Sequence, residues 1–179
     1  TDYVVHLALT RAGRAEALDV ATGLVLPPDS FFDAICARAS EGTGADASYV
    51  SFVFADCQFI KGADALPDGF DHTTEVGLED SICRLVVGAQ APYEVPDTTK
   101  DRHLRSCGPV QSGLAAAYLG VPVLFGGQCL GALAAVTAKA RDWTDEDRRV
   151  LLGLAERLSA ELASRNSERT PVGLARGVV

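Results

Sequence analysis

Five cysteines and three histidines are the residues of this 179-residue chain best suited to redox or metal chemistry. The cysteines are odd in number and scattered, with no C-x-x-C pair, so their spacing predicts neither a disulfide framework nor a zinc ribbon. Cys107 follows Arg105 by two residues, and a nearby positive charge favours a reactive thiolate. A cysteine-based redox sensor is therefore one hypothesis, provided that Cys83, Cys107 and Cys129 converge in the fold.

Motifs that mark hydrolases and transferases do not occur in the sequence. There is no G-x-S-x-G turn, no phosphate-binding P-loop and no H-E-x-x-H zinc helix. The carboxylates are spread over positions where helix caps and turns are predicted. We therefore expect a chain without catalytic activity of its own and without a metal site.

A polar stretch over residues 98–113 holds the charged groups best suited to binding a ligand, because such groups tend to lie in loops. Arg102 and Arg105 can hold an anion through paired hydrogen bonds. Alternatively, Asp97, Asp101 and Arg102 are close enough in sequence to pair with one another and stabilise a turn. Their spacing favours the turn.

The composition excludes several classes of partner. Lys and Arg number 16 against 24 Asp and Glu, a net charge of −8 without a basic cluster, so nucleic acid and anionic membranes are not expected partners. No apolar run approaches the roughly 18 residues of a membrane span, and the N-terminus lacks the pattern of a signal peptide. We expect a cytoplasmic chain with reduced thiols.

Helices and strands alternate in the elements predicted to position these residues. Apolar residues at a spacing of three to four predict helices near 14–22, 30–42, 82–88 and from 144 onward, and the type of 3–9 stays open. Period-two and continuous apolar runs predict strands near 49–54, 57–60, 93–95, 114–125 and 129–138, the last two joined at Gly126-Gly127. This order predicts an α+β fold with an antiparallel sheet.

Several short sequence strings, which occur in a particular order, indicate the protein family more specifically than the order of elements does. They are Pro27-Pro28, Phe32-Asp33, Ser51 to Asp56, Gln58 to Lys61, Ser81 to Cys83, Val95 to Arg102, Tyr118 to Val123, Leu130 to Leu133 and Trp143 to Glu146. Together with the order of the elements, they resemble the GAF domain of bacterial signalling sensors. The resemblance covers roughly residues 14–163, which is far longer than a single motif.

This resemblance implies a GAF fold, in which a central antiparallel sheet of five or six strands carries the terminal helices on one face. A helix and a loop would cover a ligand pocket on the other face, with Asp97, Arg105 and Tyr118 giving specificity. The predicted ligand-binding residues are Phe52, Phe54, Cys83, Val86, Asp97, Arg105, Cys107, Tyr118 and Leu133. No cofactor is expected, because no cysteine is followed by the histidine of a bilin site and His103 reads as a solvated loop residue instead of a haem ligand.

The resemblance also implies an organisation and a role. Residues 1–26 would form an N-terminal signalling or dimerisation segment, 27–163 the GAF domain, and 164–179 a polar tail or linker. We expect a regulatory domain that senses a small molecule and signals to an output protein such as a kinase, a phosphatase or a cyclic-dinucleotide enzyme. A homodimer would form through the terminal helices, with Leu158 and Leu162 reaching the partner copy. The alternatives are a ligand-free dimerisation and interaction module and the redox sensor.

Overall fold

A six-stranded antiparallel sheet forms the centre of the fold in the computed structural model, which describes residues 2–70 and 74–169. Along the sheet the strands follow the order β3-β2-β1-β6-β5-β4, and every neighbouring pair is antiparallel. They are β1 (Ala47–Val53), β2 (Cys57–Asp64), β3 (Glu75–Gly77), β4 (Tyr93–Val95), β5 (Ala117–Phe125) and β6 (Gln128–Thr137). The predicted fold class is confirmed.

Six helices of the described residues surround the sheet. They are α1 (Asp2–Leu9), α2 (Arg14–Leu24), α3 (Ser30–Thr43), α4 (Cys83–Ala89), the short α5 (Gly108–Gln111) and α6 (Asp145–Arg169), with a 3-10 turn at Leu78–Asp80. The segment whose type the sequence left open is thus helical. Helix α6 runs six residues past the boundary predicted at 163, so residues 164–169 are helix and not tail. The rest of the predicted tail, 170–179, lies outside the described residues.

Local signals explain where the principal elements begin and end. The Asp29 carboxylate accepts hydrogen bonds from the backbone N–H groups of Phe31 and Phe32 and so caps α3. Thr144 and Asp147 form reciprocal side-chain to backbone bonds at the start of α6. Gly126 and Gly127 both have positive φ, as a two-residue turn of the primed type between β5 and β6 requires.

The two faces of the sheet carry different layers. Helices α2, α3 and α6 cover one face, here called the helix face, with Val50 and Phe52 of β1. Helices α1 and α4 and the 98–115 segment cover the other, here called the pocket face, with Tyr49 and Val53 of β1. The predicted division between terminal helices and a helix-and-loop layer is confirmed, except that the first helix lies on the pocket face.

Arg14 ties the N-terminal segment to the end of the sheet. Its side chain is buried, and the guanidinium donates to the carbonyl oxygens of Leu9, Val53, Cys129 and Leu130. Burial lowers the pKa of this arginine, but the carbonyl oxygens supply acceptors for its donors. Because α1 and α2 pack on opposite faces, this contact fixes the point at which the chain passes from one face to the other.

The close approach of β1 and β6 explains the glycine, Gly131, in the string from Leu130 to Leu133. A side chain at this position would collide with the carbonyl oxygen of Ser51 on β1. Only glycine permits the two backbones to approach so closely.

Candidate functional site

A narrow cavity of about 20 Å³ lies between the pocket face of the sheet and the segments that cover it. Strands supply its floor, and the segments 66–70 and 109–115 supply its roof. The lining residues are Tyr49, Gln58, Ile60, Leu66, Phe70, Val76, Pro109, Leu114, Ala115 and Val136. The lining is thus mainly apolar, with a phenol and an amide as its polar groups.

The amide of Gln58 connects the cavity to the start of α4. Its Oε1 accepts a hydrogen bond of 2.6 Å from the Ser81 hydroxyl, and both residues are buried. The Ser81 oxygen in turn accepts from the backbone N–H of Arg84 in the first turn of α4. A change at the cavity wall therefore reaches α4 through two consecutive hydrogen bonds.

A second polar chain connects α4 to two strands. The Tyr118 hydroxyl on β5 donates to Cys83 Sγ at 3.3 Å, and the Cys83 thiol donates to the Tyr49 hydroxyl at 3.7 Å. Burial raises the pKa of all three groups, so each is held in its neutral form. Tyr49 belongs both to this chain and to the cavity lining, which places the end of the chain at the cavity.

The roof is held down by contacts between the 3-10 turn and the loop that contains α5. The Asp80 carboxylate accepts a 2.6 Å bond from the Gly108 N–H, and the Cys107 thiol donates to the Glu79 carbonyl at 3.1 Å. Asp80 therefore joins two loops. These loops and α4 form one connected layer.

The structure divides the nine predicted ligand-binding residues into three groups. Cys83, Val86, Cys107 and Tyr118 lie together in the buried cluster of the pocket face. None of the nine lines the cavity of about 20 Å³. Any ligand contact of these four residues therefore requires a larger opening than the structure shows.

Phe52, Phe54 and Leu133 lie on the helix face, so the prediction that they join the other residues around one pocket is wrong. The physical reason is that β1 and β6 are buried on both faces. A strand of this kind shows no alternation of polar and apolar residues from which its pocket side can be read.

Asp97 and Arg105 lie at the solvent side of the loop. Asp97 accepts from Thr99 and pairs with Lys100 at 2.8 Å, and these hydrogen bonds hold the pKa of its carboxyl below the usual range. It therefore stabilises a turn, as the alternative interpretation predicts, but its partners are Thr99 and Lys100 and not Arg102. Arg105 is exposed, and neither residue lines the cavity of the pocket face, so their contact with a ligand stays a prediction.

Tyr49 and Gln58 are the polar residues of the cavity that sequence reasoning missed. Gln58 is the first residue of the string from Gln58 to Lys61, where a glutamine beside apolar residues of a strand signals a buried polar contact. Tyr49 carries the hydroxyl at the start of an otherwise apolar run. Both signals were present, but neither shows which face of the strand the side chain occupies.

The five thiols are free and buried. Burial raises the pKa of Cys57 and of Cys129 to about 11 each, the latter despite the opposing charge of Arg14. The pKa of Cys107 is also raised by burial, although Arg84 opposes the shift. Because the reactive form is the thiolate, these environments do not favour redox signalling.

Within the described ranges, no group of three or more His, Cys, Asp or Glu side chains is arranged to hold a metal ion. None of the helices that the structure describes combines the length and the apolar character needed to cross a membrane.

Comparisons with known proteins identify the family. The family model described as "GAF domain" matches residues 27–162, about three quarters of the chain. No curated protein matches the sequence.

Three of the solved structures with the same fold illustrate the range of the match. The GAF-B domain of DevS from Mycobacterium smegmatis is 22% identical with a TM-score of 0.61, and the match covers 78% of this chain and 96% of that one. A domain of a putative two-component sensor histidine kinase from Sinorhizobium meliloti is 14% identical with a TM-score of 0.61, covering 79% and 95%. The type II free methionine-R-sulfoxide reductase from Thermoplasma acidophilum is 17% identical with a TM-score of 0.62, covering 82% and 96%. At these identities the structures show a common fold alone, and it is the family match that identifies the chain as a member of the GAF domain family.

Proposed function

We propose that the chain is a regulatory sensing domain in which a small, mainly apolar ligand enters the cavity of the pocket face. Ligand binding would alter the position of α4 and thereby the activity of an output protein, such as a kinase, a phosphatase or a cyclic-dinucleotide enzyme. The observation that carries this proposal is the narrow, mainly apolar cavity with Tyr49 and Gln58 on its wall. Binding sites for small molecules commonly combine an apolar lining with a few polar groups that fix orientation.

The ligand must open the site that it occupies. A cavity of about 20 Å³ holds a single water molecule at most, whereas ligand pockets typically measure about 300–1,000 Å³. Leu66 and Phe70 lie in the segment between β2 and β3 and cover the cavity from one side. Displacing these two side chains is the smallest change that enlarges the cavity from that side.

A ligand that displaces Tyr49 or Gln58 would shift α4 through the two hydrogen-bond chains that end at these residues. Helix α4 packs against α1, and Arg14 joins the segment after α1 to the ends of β1 and β6. Helix α2 continues from Arg14 and packs against α6. Repacking of α6 would then carry the signal out of the domain.

We propose no catalytic role for the chain. The neutral, buried thiols and the polar groups that hold turns and caps support a regulatory role in place of a chemical one.

A homodimer through the terminal helices also belongs to the proposal. Leu158 and Leu162, predicted to reach the partner copy, are instead fully buried within the domain. Val20 on α2 and Leu152 on α6 are large apolar side chains that reach the surface, with exposures of 37% and 39%, and Tyr3, Val4 and Leu7 of α1 are more exposed still. Leu152→Glu is expected to give a folded monomer, and a wild-type chain that sediments as a monomer would contradict this part of the proposal.

A ligand-free interaction module is the second candidate, and the small volume of the cavity favours it. Titration of the ¹⁵N-labelled chain with indole, p-cresol and benzene, monitored by NMR, distinguishes a sensing domain from a ligand-free module. A sensing domain should show saturable chemical-shift changes that include the side-chain amide of Gln58. Its affinity for the probes should rise in Phe70→Ala. Absence of saturable binding in both the wild type and Phe70→Ala would favour the module.

A matched pair of variants locates the binding. Ala115→Leu fills the cavity and is expected to weaken probe binding by at least about tenfold. Ala37→Leu adds the same atoms at an exposed position of α3 and is expected to leave binding unchanged. Equal effects of the two substitutions would show that the probes bind elsewhere.

A further inference from the structure

The polar groups on the wall of the pocket-face cavity restrict the ligands that it can hold. Tyr49 and Gln58 supply the polar side chains, and none of the described residues that line the cavity carries a charge. Moving an ion from water into such a site is strongly unfavourable, because no opposite charge pairs with it. The wall therefore favours a neutral ligand, and the direction of its hydrogen bonds decides which polar group that ligand carries.

The orientation of the Gln58 amide follows from its contact with Ser81. The Ser81 oxygen accepts from the backbone N–H of Arg84 at 3.2 Å, and the Ser81 hydroxyl donates to Gln58 Oε1 at 2.6 Å. The opposite orientation of the amide would direct a second donor at the Ser81 oxygen and take away the acceptor of this fully buried hydroxyl. Oε1 is therefore the amide atom held by Ser81, and Nε2 is the atom that remains for a ligand.

Both polar side chains of the wall have unused hydrogen-bond donors. Within residues 2–70 and 74–169, no group accepts a hydrogen bond from Gln58 Nε2. The Tyr49 oxygen accepts from the Cys83 thiol, so the Tyr49 proton is available, and no group of the described ranges accepts it. Folded proteins pair the great majority of their buried donors. Two unused donors at one cavity therefore indicate an acceptor that comes from outside the chain.

Acceptors in the roof of the cavity are, by contrast, already engaged. The Pro109 carbonyl oxygen accepts from the backbone N–H of Ala115 at 3.0 Å, and the Ala115 carbonyl oxygen accepts from the Thr98 hydroxyl. A ligand that must donate a hydrogen bond would compete with these contacts. A ligand that accepts one meets donors that have no other partner.

We propose that the cavity selects neutral, mainly apolar molecules that carry a carbonyl group, as ketones and esters do. The carbonyl oxygen has two lone pairs, so it can accept from both Gln58 Nε2 and the Tyr49 hydroxyl. The apolar part of the molecule would lie against Leu66 and Phe70. This inference rests on the proposed sensing function, and it names the class of ligand that the site would sense.

The test compares two probes of nearly equal shape on the full chain. Acetophenone carries a carbonyl beside its ring, and α-methylstyrene has a CH₂ group in place of the carbonyl oxygen. Titration of the ¹⁵N-labelled chain, monitored by NMR, gives both dissociation constants. We expect acetophenone to bind about tenfold more tightly, because α-methylstyrene leaves both donors unpaired.

Tyr49→Phe and Tyr118→Phe are a matched pair that assigns this preference to the cavity wall. Each substitution removes one hydroxyl that is bonded to Cys83, but only Tyr49 lines the cavity. Tyr49→Phe is expected to reduce the preference for acetophenone about threefold or more, whereas Tyr118→Phe should leave it unchanged. An unchanged preference in Tyr49→Phe, or equal losses in the two variants, would overturn the inference.

Infrared spectroscopy of the bound carbonyl reports on the same contact in the wild type. The stretching frequency of ¹³C=O-labelled acetophenone falls when its oxygen accepts a hydrogen bond. The bound probe should therefore absorb at a lower frequency than the same probe in hexane, and Tyr49→Phe should move the band back toward the hexane value. A bound frequency equal to that in hexane would contradict the inference.

The failure of this inference can be told apart from the failure of the sensing function. Saturable binding of both probes with equal affinity, weakened by the cavity-filling Ala115→Leu, would overturn the ligand class and leave sensing intact. Absence of saturable binding of either probe, in both the wild type and Phe70→Ala, would overturn the two together.

Discussion

The two faces of the sheet are packed by different kinds of interaction. The core of the helix face is mainly apolar, with Phe32, Leu151 and Leu158 each fully buried, and the hydroxyl of Ser48, bonded to the carbonyl oxygen of Cys36, is among its few buried polar groups. The pocket face buries hydroxyl, thiol and amide groups among its apolar residues, with Tyr49 and Tyr118 at either side of Cys83. Apolar contacts have no direction, whereas hydrogen bonds do. The helix face therefore serves as a scaffold, and the pocket face is the layer in which a small displacement breaks specific contacts.

Leu158→Ala is the strongest test of the scaffold. Leu158 is fully buried, and truncating it leaves a cavity in a close-packed layer. The substitution should therefore lower the free energy of unfolding by about 4 kcal/mol. Leu152→Ala, six residues earlier and 39% exposed, should cost less than about 1 kcal/mol. Urea denaturation followed by circular dichroism measures both. Similar small losses would mean that the helix face is not the rigid layer.

Arg14→Met tests the junction between the faces. Methionine keeps much of the length of the side chain but leaves four carbonyl oxygens without their donor, at an expected cost of about 2–3 kcal/mol in the free energy of unfolding. Arg11→Met, at an exposed position bonded to Gln90, should be nearly neutral. Equal unfolding midpoints for the two variants would show that the buried guanidinium does not hold the faces together.

Tyr118→Phe isolates the polar chain of the pocket face. It removes one hydroxyl and no other atom, and the lost bond to Cys83 should lower the free energy of unfolding by about 1 kcal/mol. Tyr3→Phe, which removes a hydroxyl from a residue that is 73% exposed, serves as the control. Hydrogen exchange should accelerate in α4 of Tyr118→Phe more than in α3. Uniform acceleration would contradict the distinction between the faces.

The smallest expected change in the free energy of unfolding comes from the charge of Asp29, at the edge of the helix face, and depends on pH. Partial burial raises the pKa of Asp29, but hydrogen bonds from Arg165, Phe32 and Phe31 outweigh it, so the pKa lies below its usual value. A carboxyl with a lowered pKa stabilises the fold above its unfolded pKa, and this contribution is lost as pH falls through the folded pKa.

Asp29→Asn keeps an acceptor for the α3 cap and removes the charge. The wild type should be more stable than this variant by less than about 1 kcal/mol at neutral pH, and the difference should vanish in acid. Urea denaturation of both proteins across the acidic range measures it. A difference that persists in acid would show that the charge of Asp29 is not its source.

The sequence was sufficient for the order of elements and for the division into two layers. Caps at Asp29 and Thr144 and the turn at Gly126-Gly127 depend on neighbouring residues, so local patterns reveal them. The family strings added the arrangement of the sheet, which the family match confirms.

The candidate site was harder to predict because it depends on which face of a strand a residue occupies. All seven residues of β1 are buried, so Phe52 and Tyr49 are equivalent by pattern although they lie on opposite faces. On β2 the pairing with β1 skips Lys61, so the alternation of faces along that strand is interrupted as well. The cavity also requires segments 66–70 and 109–115 to meet over the sheet, a contact between distant parts of the chain that no local pattern encodes.

The passage of the N-terminal segment across the end of the sheet bears on where the domain begins. The family match starts at residue 27, yet Val5 and Leu9 complete the core of one face, and Leu18 and Ala21 complete the core of the other. A truncated version starting at residue 27 would expose both cores to water. It would also lack Arg14, whose guanidinium donates hydrogen bonds to carbonyl oxygens at the strand ends. We therefore expect the cooperative folding unit to be larger than the stretch matched by the family model, and an expression boundary drawn at residue 27 would cut through it.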